Sequence, residues 1–455
     1  MTGLPLPRRY LAILAVSAGN ALVTMDSSIA TVALPSIARA LAVPASSVLL
    51  VVTVYQLVLV MTLLPFSNLG ERFGLRRLYQ GGLALFTVAT VLCFFAKSLP
   101  FLLVVRAAQA LGAAAALSVS PGLVRQIYPQ SQLGRGLSLN TLVVTSASAL
   151  APTIGGVVLG LAPWPWVFAS AVPFAALSLL FGRNLPAASP RSDPFDVLGA
   201  VLCAATLGLT IAGLETAVHG DSPVVSAAIV VAGLAIGVVF VRRELGEPRP
   251  IIPVDLLAQP ALALSLAGSF AASLGSMLLM LSLPFRLQQQ YGFSPGAVGA
   301  VLAPWPLTMM VVAPIAGALS DRYPPRAMGA IGMAIATTAL VLIAFLPAHP
   351  DFFDIAWRMV LCGMGYGLFL SPNARLVIGA APIERAASAG GMVATNRLIA
   401  QTMGATLVAA LLSHGLGSGP LPPLIGAGLA LLAGLCSLAH VAPVGRVPAE
   451  VAERL

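Results

Sequence analysis

The chain has 455 residues, 58% of them hydrophobic and only 9% charged. Soluble domains average about a quarter charged residues, which excludes that class. The formal net charge of +9 would suggest a nucleic-acid partner in a soluble chain, but here the basic residues punctuate apolar runs and report topology instead, so no nucleic-acid partner is expected.

Apolar runs of about 18–25 residues recur from one end to the other, each long enough to cross a bilayer. Read against Gly, Pro and charge punctuation, they predict helices near 10–33, 48–67, 78–96, 100–123, 136–160, 165–182, 196–217, 223–241, 261–284, 296–319, 327–346, 354–375, 387–411 and 423–443, fourteen spans in all. The fold class is an all-α polytopic membrane protein, since barrel strands would read as roughly ten-residue alternating segments. The opening "MTGLPLPRRY" and the run after it superficially resemble a signal peptide. That run is too long, contains Asp26 and lacks a small-residue cleavage site, so it reads as a retained first helix.

An even number of spans puts both termini on one side. With the N-terminus inside, the cytoplasmic segments collect the arginines at 8, 9, 72, 76, 77, 125, 135, 183, 191, 242, 243, 249, 322, 326, 375, 385, 446 and 454. The opposite side collects Arg39, Lys97, Arg286 and Arg358, leaving Arg106 and Arg397 within the membrane. This asymmetry is a positive-inside signal for an inner, cytoplasmic membrane.

The most polar interior segments, "GRNLPAASPRSDPFD" and "RRELGEPRPIIPVDLLAQP", bracket two helices and leave six before and six after. The expected organisation is an N-terminal six-helix bundle over 1–182, an inserted helical pair with its flanking loops over 183–260, and a C-terminal six-helix bundle over 261–455. An internal repeat supports it. "SNLGERFGLRR" (Ser67 to Arg77) follows the second span, and "GALSDRYPPR" (Gly317 to Arg326) follows the second span of the other half. Both set a small residue, an acid, an arginine and an aromatic at the same spacing.

These loops resemble the G-x-x-x-D-R-x-G-R-R signature of the major facilitator superfamily, and the layout resembles its fourteen-helix drug:proton antiporter branch. "MDSSIATVALPSI" is similar to that branch's first-helix signature. "LLVVRAAQALGAAA" (Leu102 to Ala115) resembles the fourth-helix motif with its membrane arginine, "SALAPTIGG" (Ser148 to Gly156) the fifth-helix Gly-Pro-x-x-Gly-Gly motif of antiporters, and "TNRLIAQTMGA" (Thr395 to Ala405) the segment before the last span. Ser67 and Glu71 replace the family's usual Gly and Asp, "YPPR" replaces a Gly-Arg-Arg ending, and Ala151 stands where Gly is usual. The resemblance implies multidrug efflux by alternating access.

The residues themselves point the same way. Asp26 is the only charged residue between Arg9 and Arg39. An acid in mid-membrane costs roughly 2.5–3.5 kcal/mol, so such residues face the interior and serve function. Binding a proton removes the cost, while a nearby arginine opposes protonation. Asp26 and Arg106 fall at matching depth in the outer half and are expected to pair as the proton-coupling site. Polar and soft residues on inward faces are the candidates for a substrate cavity: Thr53, Tyr55, Gln56, Gln109, Asn140, Thr141, Met277, Met280, Trp305, Met310, Asn396, Arg397 and Gln401. Arg397 is either helix-to-helix glue or part of that cavity.

Pro152, Gly155 and Gly156 allow close helix approach and are expected to act in gating. Glu71 and Asp321, with Arg72, Arg76, Arg77 and Arg322, are expected to form a charged latch at the cytoplasmic face. Glu215 reads as interfacial at the outer end of its span, and Asp351 and Asp354 as a solvated loop. The cysteines at 93, 203, 362 and 436 are too dispersed for disulfides or a metal cluster. No ATP-binding loop or catalytic motif is present, so no enzyme activity and no cofactor other than the proton is expected.

The resulting expectation is a proton-coupled, monomeric exporter of small amphipathic molecules in contact with membrane lipids. An exporter of one metabolite, peptide-like product or lipid is the alternative, and a transport-fold sensor or membrane enzyme a remote one.

Overall fold

The structure is a computed structural model and describes residues 4–129, 133–186, 196–219, 222–247, 257–320, 322–380 and 386–439. Its first half contains α1 (Leu6–Ala40), α2 (Ala45–Val48), α3 (Leu50–Phe73), α4 (Leu75–Leu92), α5 (Leu99–Ile127), α6 (Leu133–Leu161), α7 (Pro165–Ala169) and α8 (Val172–Phe181). Then follow α9 (Val197–His219) and α10 (Pro223–Glu244). The second half contains α11 (Pro260–Phe285), α12 (Pro295–Leu302), α13 (Pro304–Leu319), α14 (Pro325–Ala344), α15 (Phe352–Ala380), α16 (Ala386–Ser413) and α17 (Leu421–Leu438).

Local chemistry sets many of these boundaries. Pro223, Pro260, Pro295, Pro304 and Pro325 each open a helix, where the missing N–H costs nothing and φ is already helical. Ser222 and Ser294 cap α10 and α12 by accepting from the N–H groups of Val225 and Ala297. Gly74 has φ of +96° and separates α3 from α4. The repeated loop therefore begins earlier as helix than the sequence pattern suggests: Ser67 to Phe73 continue α3, and the chain turns only at Gly74.

Twelve helical segments among the described residues are long and apolar enough to cross a membrane. The other two expected spans correspond to α6 and α16, of 29 and 28 residues. Of α6, Ser146–Leu161 forms a shorter apolar stretch, and α16 is not among the twelve.

Burial separates the helices into roles. In α1, 78% of the most apolar stretch is buried, against 17% in α10. α10 instead presents Val224, Val231, Leu234 and Val238 outward, as a lipid-facing helix must. It packs on α9, and Arg243 Nη1 lies 2.7 Å from Asp196 Oδ2 where the pair meets the basic end of the molecule. That guanidinium holds the Asp196 carboxyl below the usual carboxylate range. Glu215 corrects the interfacial reading: it is buried and accepts a 2.6 Å hydrogen bond from Thr406 Oγ1, tying α9 to α16.

The two halves repeat one packing scheme. Gly82 on α4 backs onto the Gly112 carbonyl of α5, where an added Cβ would lie 2.7 Å away. Gly332 on α14 backs onto the Gly365 carbonyl of α15 at 2.6 Å by the same measure. Small residues let such helices approach to backbone contact where lipid supplies no hydrophobic drive.

Gly74→Ala should lower stability by about 1–2 kcal/mol, because a side chain is strained at that backbone angle. Thermal unfolding in detergent checks this; an unchanged midpoint would show that the α3–α4 junction relaxes freely.

Candidate functional site

Asp26 on α1 and Arg106 on α5 meet in the interior of the first half, with Arg106 Nη1 2.7 Å from Asp26 Oδ2. Both are 0% exposed. The arginine is held from several directions. Nη1 also donates to Gln109 Oε1 at 2.8 Å, and Nε to the Val51 carbonyl of α3 at 3.3 Å. Its Cζ stands 4.2 Å from the Tyr55 ring centre and 5.1 Å from that of Phe168, contacts that favour a cation. Gln109 Nε2 donates onward to Thr90 Oγ1 at 2.9 Å, so α1, α3, α4, α5 and α7 all contribute. Asp26 Oδ1, by contrast, is buried and has no hydrogen-bond partner among the described residues.

Sequence reasoning missed Thr90, Phe168 and the Val51 carbonyl. Thr90 carried a faint signal, as a hydroxyl in an apolar helix on the face shared with Phe86 and Cys93. A backbone carbonyl and an aromatic from a distant turn carry none.

Several expected cavity residues are enclosed by their neighbours in this structure. Thr53, Tyr55 and Gln56 are buried, because α3 turns this face into the bundle interior. Gln109 is locked between Arg106 and Thr90. Trp305 is buried against Tyr366 with ring centres 5.2 Å apart, its Nε1–H directed at Met309 Sδ. Met277 is buried where α16 crosses α11 at Gly404. Met280 and Met310 are half-buried, and Met310 Sδ receives Ser146 Oγ of α6 at 3.5 Å.

Asn140 joins α6 to α1: Asn20 Nδ2 donates to its Oδ1 at 3.1 Å, and Ser120 Oγ of α5 donates to Asn20 Oδ1 at 2.7 Å. The second half has a counterpart. Asn396 Nδ2 of α16 donates to the Leu266 carbonyl of α11 at 3.0 Å, and Asn373 Nδ2 of α15 to the Ser265 carbonyl at 3.2 Å. "SLNTLVV" around Asn140 and "ATNRLIA" around Asn396 align as repeats, which sets Arg397 opposite Thr141. The Thr141 side chain lies outside the described residues. Gln401 is half-buried and Arg397 exposed.

Of the expected latch, Asp321 and the Glu71 side chain lie outside the described residues. Arg72, Arg77 and Arg322 are exposed, and Arg76 Nη1 donates to the Leu185 carbonyl at 3.4 Å, joining α4 to the chain after α8. Pro152, Gly155 and Gly156 are buried. Gly155 packs on Ile29 of α1, and Gly156 on α12, where an added Cβ would lie 2.9 Å from the Pro295 carbonyl and 3.1 Å from Gly299 Cα. This α6–α12 contact joins the halves at the end away from Gly74. At that same end Arg39 of α1 donates to Gln288 Oε1 at 3.1 Å.

A two-halved helical membrane protein with a buried ion pair in one half and backbone contact between the halves at one end is built as a secondary transporter. The sequence profile of the Major Facilitator Superfamily matches residues 16–405 and again 265–451. The chain belongs to that family, a family of transporters and not enzymes. It is 42% identical over 415 residues to "Uncharacterized transporter YebQ" of Escherichia coli K12, covering 90% of this chain and 91% of that one. It is 27% identical to the riboflavin transporter RibZ of Clostridioides difficile, covering 90% and 89%. It is also 27% identical to the multidrug resistance protein Stp of Mycobacterium tuberculosis (strain CDC 1551 / Oshkosh), covering 77% and 66%. Among solved structures, a peptide transporter POT shares the fold with a TM-score of 0.73 at 16% identity, over 96% of this chain and 94% of that one.

Two outcomes follow from the geometry. Arg106→Met should destabilise the protein by about 3–5 kcal/mol, since it strands a buried acid, while pairing it with Asp26→Leu should recover a large part of the loss. Thermal unfolding of the double-mutant cycle checks this, and simple additivity would mean the two charges are not coupled. Gly156→Leu should obstruct the α6–α12 contact and cut transport, whereas Gly160→Leu, which meets open space, should leave it near normal. Equal transport by both variants would remove the contact from the cycle.

Proposed function

We propose that this chain is a proton-coupled antiporter that exports small amphipathic compounds across the bacterial inner membrane, working as a monomer among membrane lipids with the proton as its only coupling agent. The observation that carries the reading is the Asp26–Arg106 pair, completely buried yet with one carboxylate oxygen unsatisfied. A proton arriving at Oδ1 neutralises the acid and removes the main reason for Arg106 to stay in place. The pair then has two arrangements of comparable free energy, and a switch between them can bias the halves toward one opening. Each proton entering contributes about 2.3 kcal/mol per 100 mV, so one or two support a useful accumulation gradient.

In this reading α6 and α16 join the twelve shown spans as a fourteen-helix bundle, with α9 and α10 as the inserted pair between six-helix halves. Both termini are cytoplasmic, as the arginine distribution supports, and the α6–α12 contact then closes the outer end. The latch of Glu71 and Asp321 with Arg72, Arg76, Arg77 and Arg322 belongs to the cytoplasmic closure in the opposite state. Likeness to the multidrug resistance protein Stp supports a broad cargo range. Likeness to a riboflavin transporter supports the second reading, export of one metabolite.

The test is proton movement in liposomes with an imposed pH gradient, using cationic, neutral and anionic amphiphiles. Cargo addition should dissipate the gradient with the native protein and leave it intact with Asp26→Asn. A variant that couples as well as the native protein would make Asp26 structural. A panel that moves no protons, alongside a single flavin-like metabolite that does, would favour the second reading.

A further inference from the structure

Arg397 lies within α16 and is exposed, and the Asp26 site does not use it. It makes no hydrogen bond or ion pair among the described residues, although its neighbours are firmly held. Asn396 donates to the Leu266 carbonyl of α11, and Leu398 packs against a core cluster that draws residues from both halves. α16 packs on α11 and also on α2 and α3 of the first half, and from Met392 to Leu412 Arg397 is its one exposed residue. That part of α16 has no lipid-facing side, so the exposed guanidinium opens on the space between the halves.

The rest of α16 identifies the cleft's depth. Gly404 lies one heptad further along, rotated by only about 20° from Arg397. There the sector is closed, since a Cβ on Gly404 would meet Met277 Cβ of α11 at 2.8 Å, and Ala405 and Val408 are buried in a core that both halves share. Seven residues of helix correspond to about 10 Å. The same sector is thus sealed at Gly404 and open at Arg397, and the opening faces the basic end of the molecule. A lipid-facing arginine at this depth would carry a severe cost; an arginine at the blind end of a cleft is reached by water and solute.

None of the described acids balances the charge of Arg397. Asp26 is committed to Arg106, Glu215 is buried between α9 and α16 around Thr406, and Asp196 is paired with Arg243. No described carboxylate partners the guanidinium.

We propose that Arg397 is a cargo-binding residue and that the preferred cargo is an amphiphile carrying an oxyanion, a carboxylate, sulfonate or phosphate. A guanidinium presents paired N–H donors that match such a group, and desolvation in the cleft strengthens the contact. The apolar part of the cargo lies against the half-buried surface beside it, toward Gln401. This deepens the transport reading above by giving the cargo's charge, and it rests on the chain being a transporter.

The test measures binding, not proton movement, so it stands apart from the coupling experiment. The native protein in phosphatidylcholine nanodiscs is titrated with 8-anilinonaphthalene-1-sulfonate, with N-phenyl-1-naphthylamine, which is the same scaffold without the sulfonate, and with the cation ethidium. The sulfonate should bind more tightly than either. Arg397→Gln should weaken it about tenfold, a change of about 1.4 kcal/mol, and leave N-phenyl-1-naphthylamine unchanged. Arg397→Lys should recover part of the loss. Because Arg397 has no protein partner among the described residues, neither variant should shift the unfolding midpoint.

Equal affinity of Arg397→Gln and native protein for the sulfonate, or tighter binding of ethidium by the native protein, overturns the assignment. Replacement of part of the lipid by phosphatidylglycerol that weakens sulfonate binding by the native protein more than by Arg397→Gln would support the assignment, with an anionic headgroup as the oxyanion-bearing occupant. A sulfonate site that survives in a protein that moves no protons would end the antiport reading and leave this one standing.

Discussion

A guanidinium withdrawn from water must have its charge and its N–H groups met inside the protein, and much of the first half is arranged around that demand. Asp26 supplies the countercharge, the Val51 carbonyl and Gln109 take further N–H groups, and two aromatic rings cover what remains. Meeting all of these at once requires helices from distant parts of the sequence to converge, so the pair constrains the bundle as much as the bundle shelters the pair. Asp26 Oδ1 and the Tyr55 hydroxyl are left without a partner among the described residues. A buried acceptor of this kind is costly for a purely structural ion pair and useful in one that takes up a proton.

The halves share a frame and differ in charge. Gly82 with Gly112, and Gly332 with Gly365, set the same close helix contacts, and Asn140 and Asn396 each tie a matching helix to the first helix of its half. Within this common frame the first half encloses an acid–base pair, while the second leaves Arg397 exposed. In the proposed reading one half takes up the proton and the other meets the cargo, and coupling passes through their relative movement about the α6–α12 backbone contact. Such a mechanism needs no pathway of special residues, only two packings whose balance both ligands bias.

Much of this was legible in the sequence because lipid is an exacting solvent. Spans must be long, helical and apolar, so hydropathy, proline positions and arginine asymmetry reveal helices before any folding is considered. For the same reason an isolated Asp26 and an isolated Arg106 drew attention, and their matching depth suggested that they meet. Polarity alone did not reveal that Gln109 is held between Arg106 and Thr90. At Glu215 a place near a helix end concealed a bond to another helix.

The sequence by itself determined the spans, the repeat and the rarity of charge, since each depends on the exchange of single segments between water and lipid. Tertiary structure alone decided which polar groups are consumed by one another and which stay open. Gln109 and Arg397 look alike as polar residues in apolar helices, yet one is enclosed by α4 and α5 and the other is exposed. Rotation of a helix by a fraction of a turn separates these fates, and that rotation is set by packing against neighbours remote in the chain.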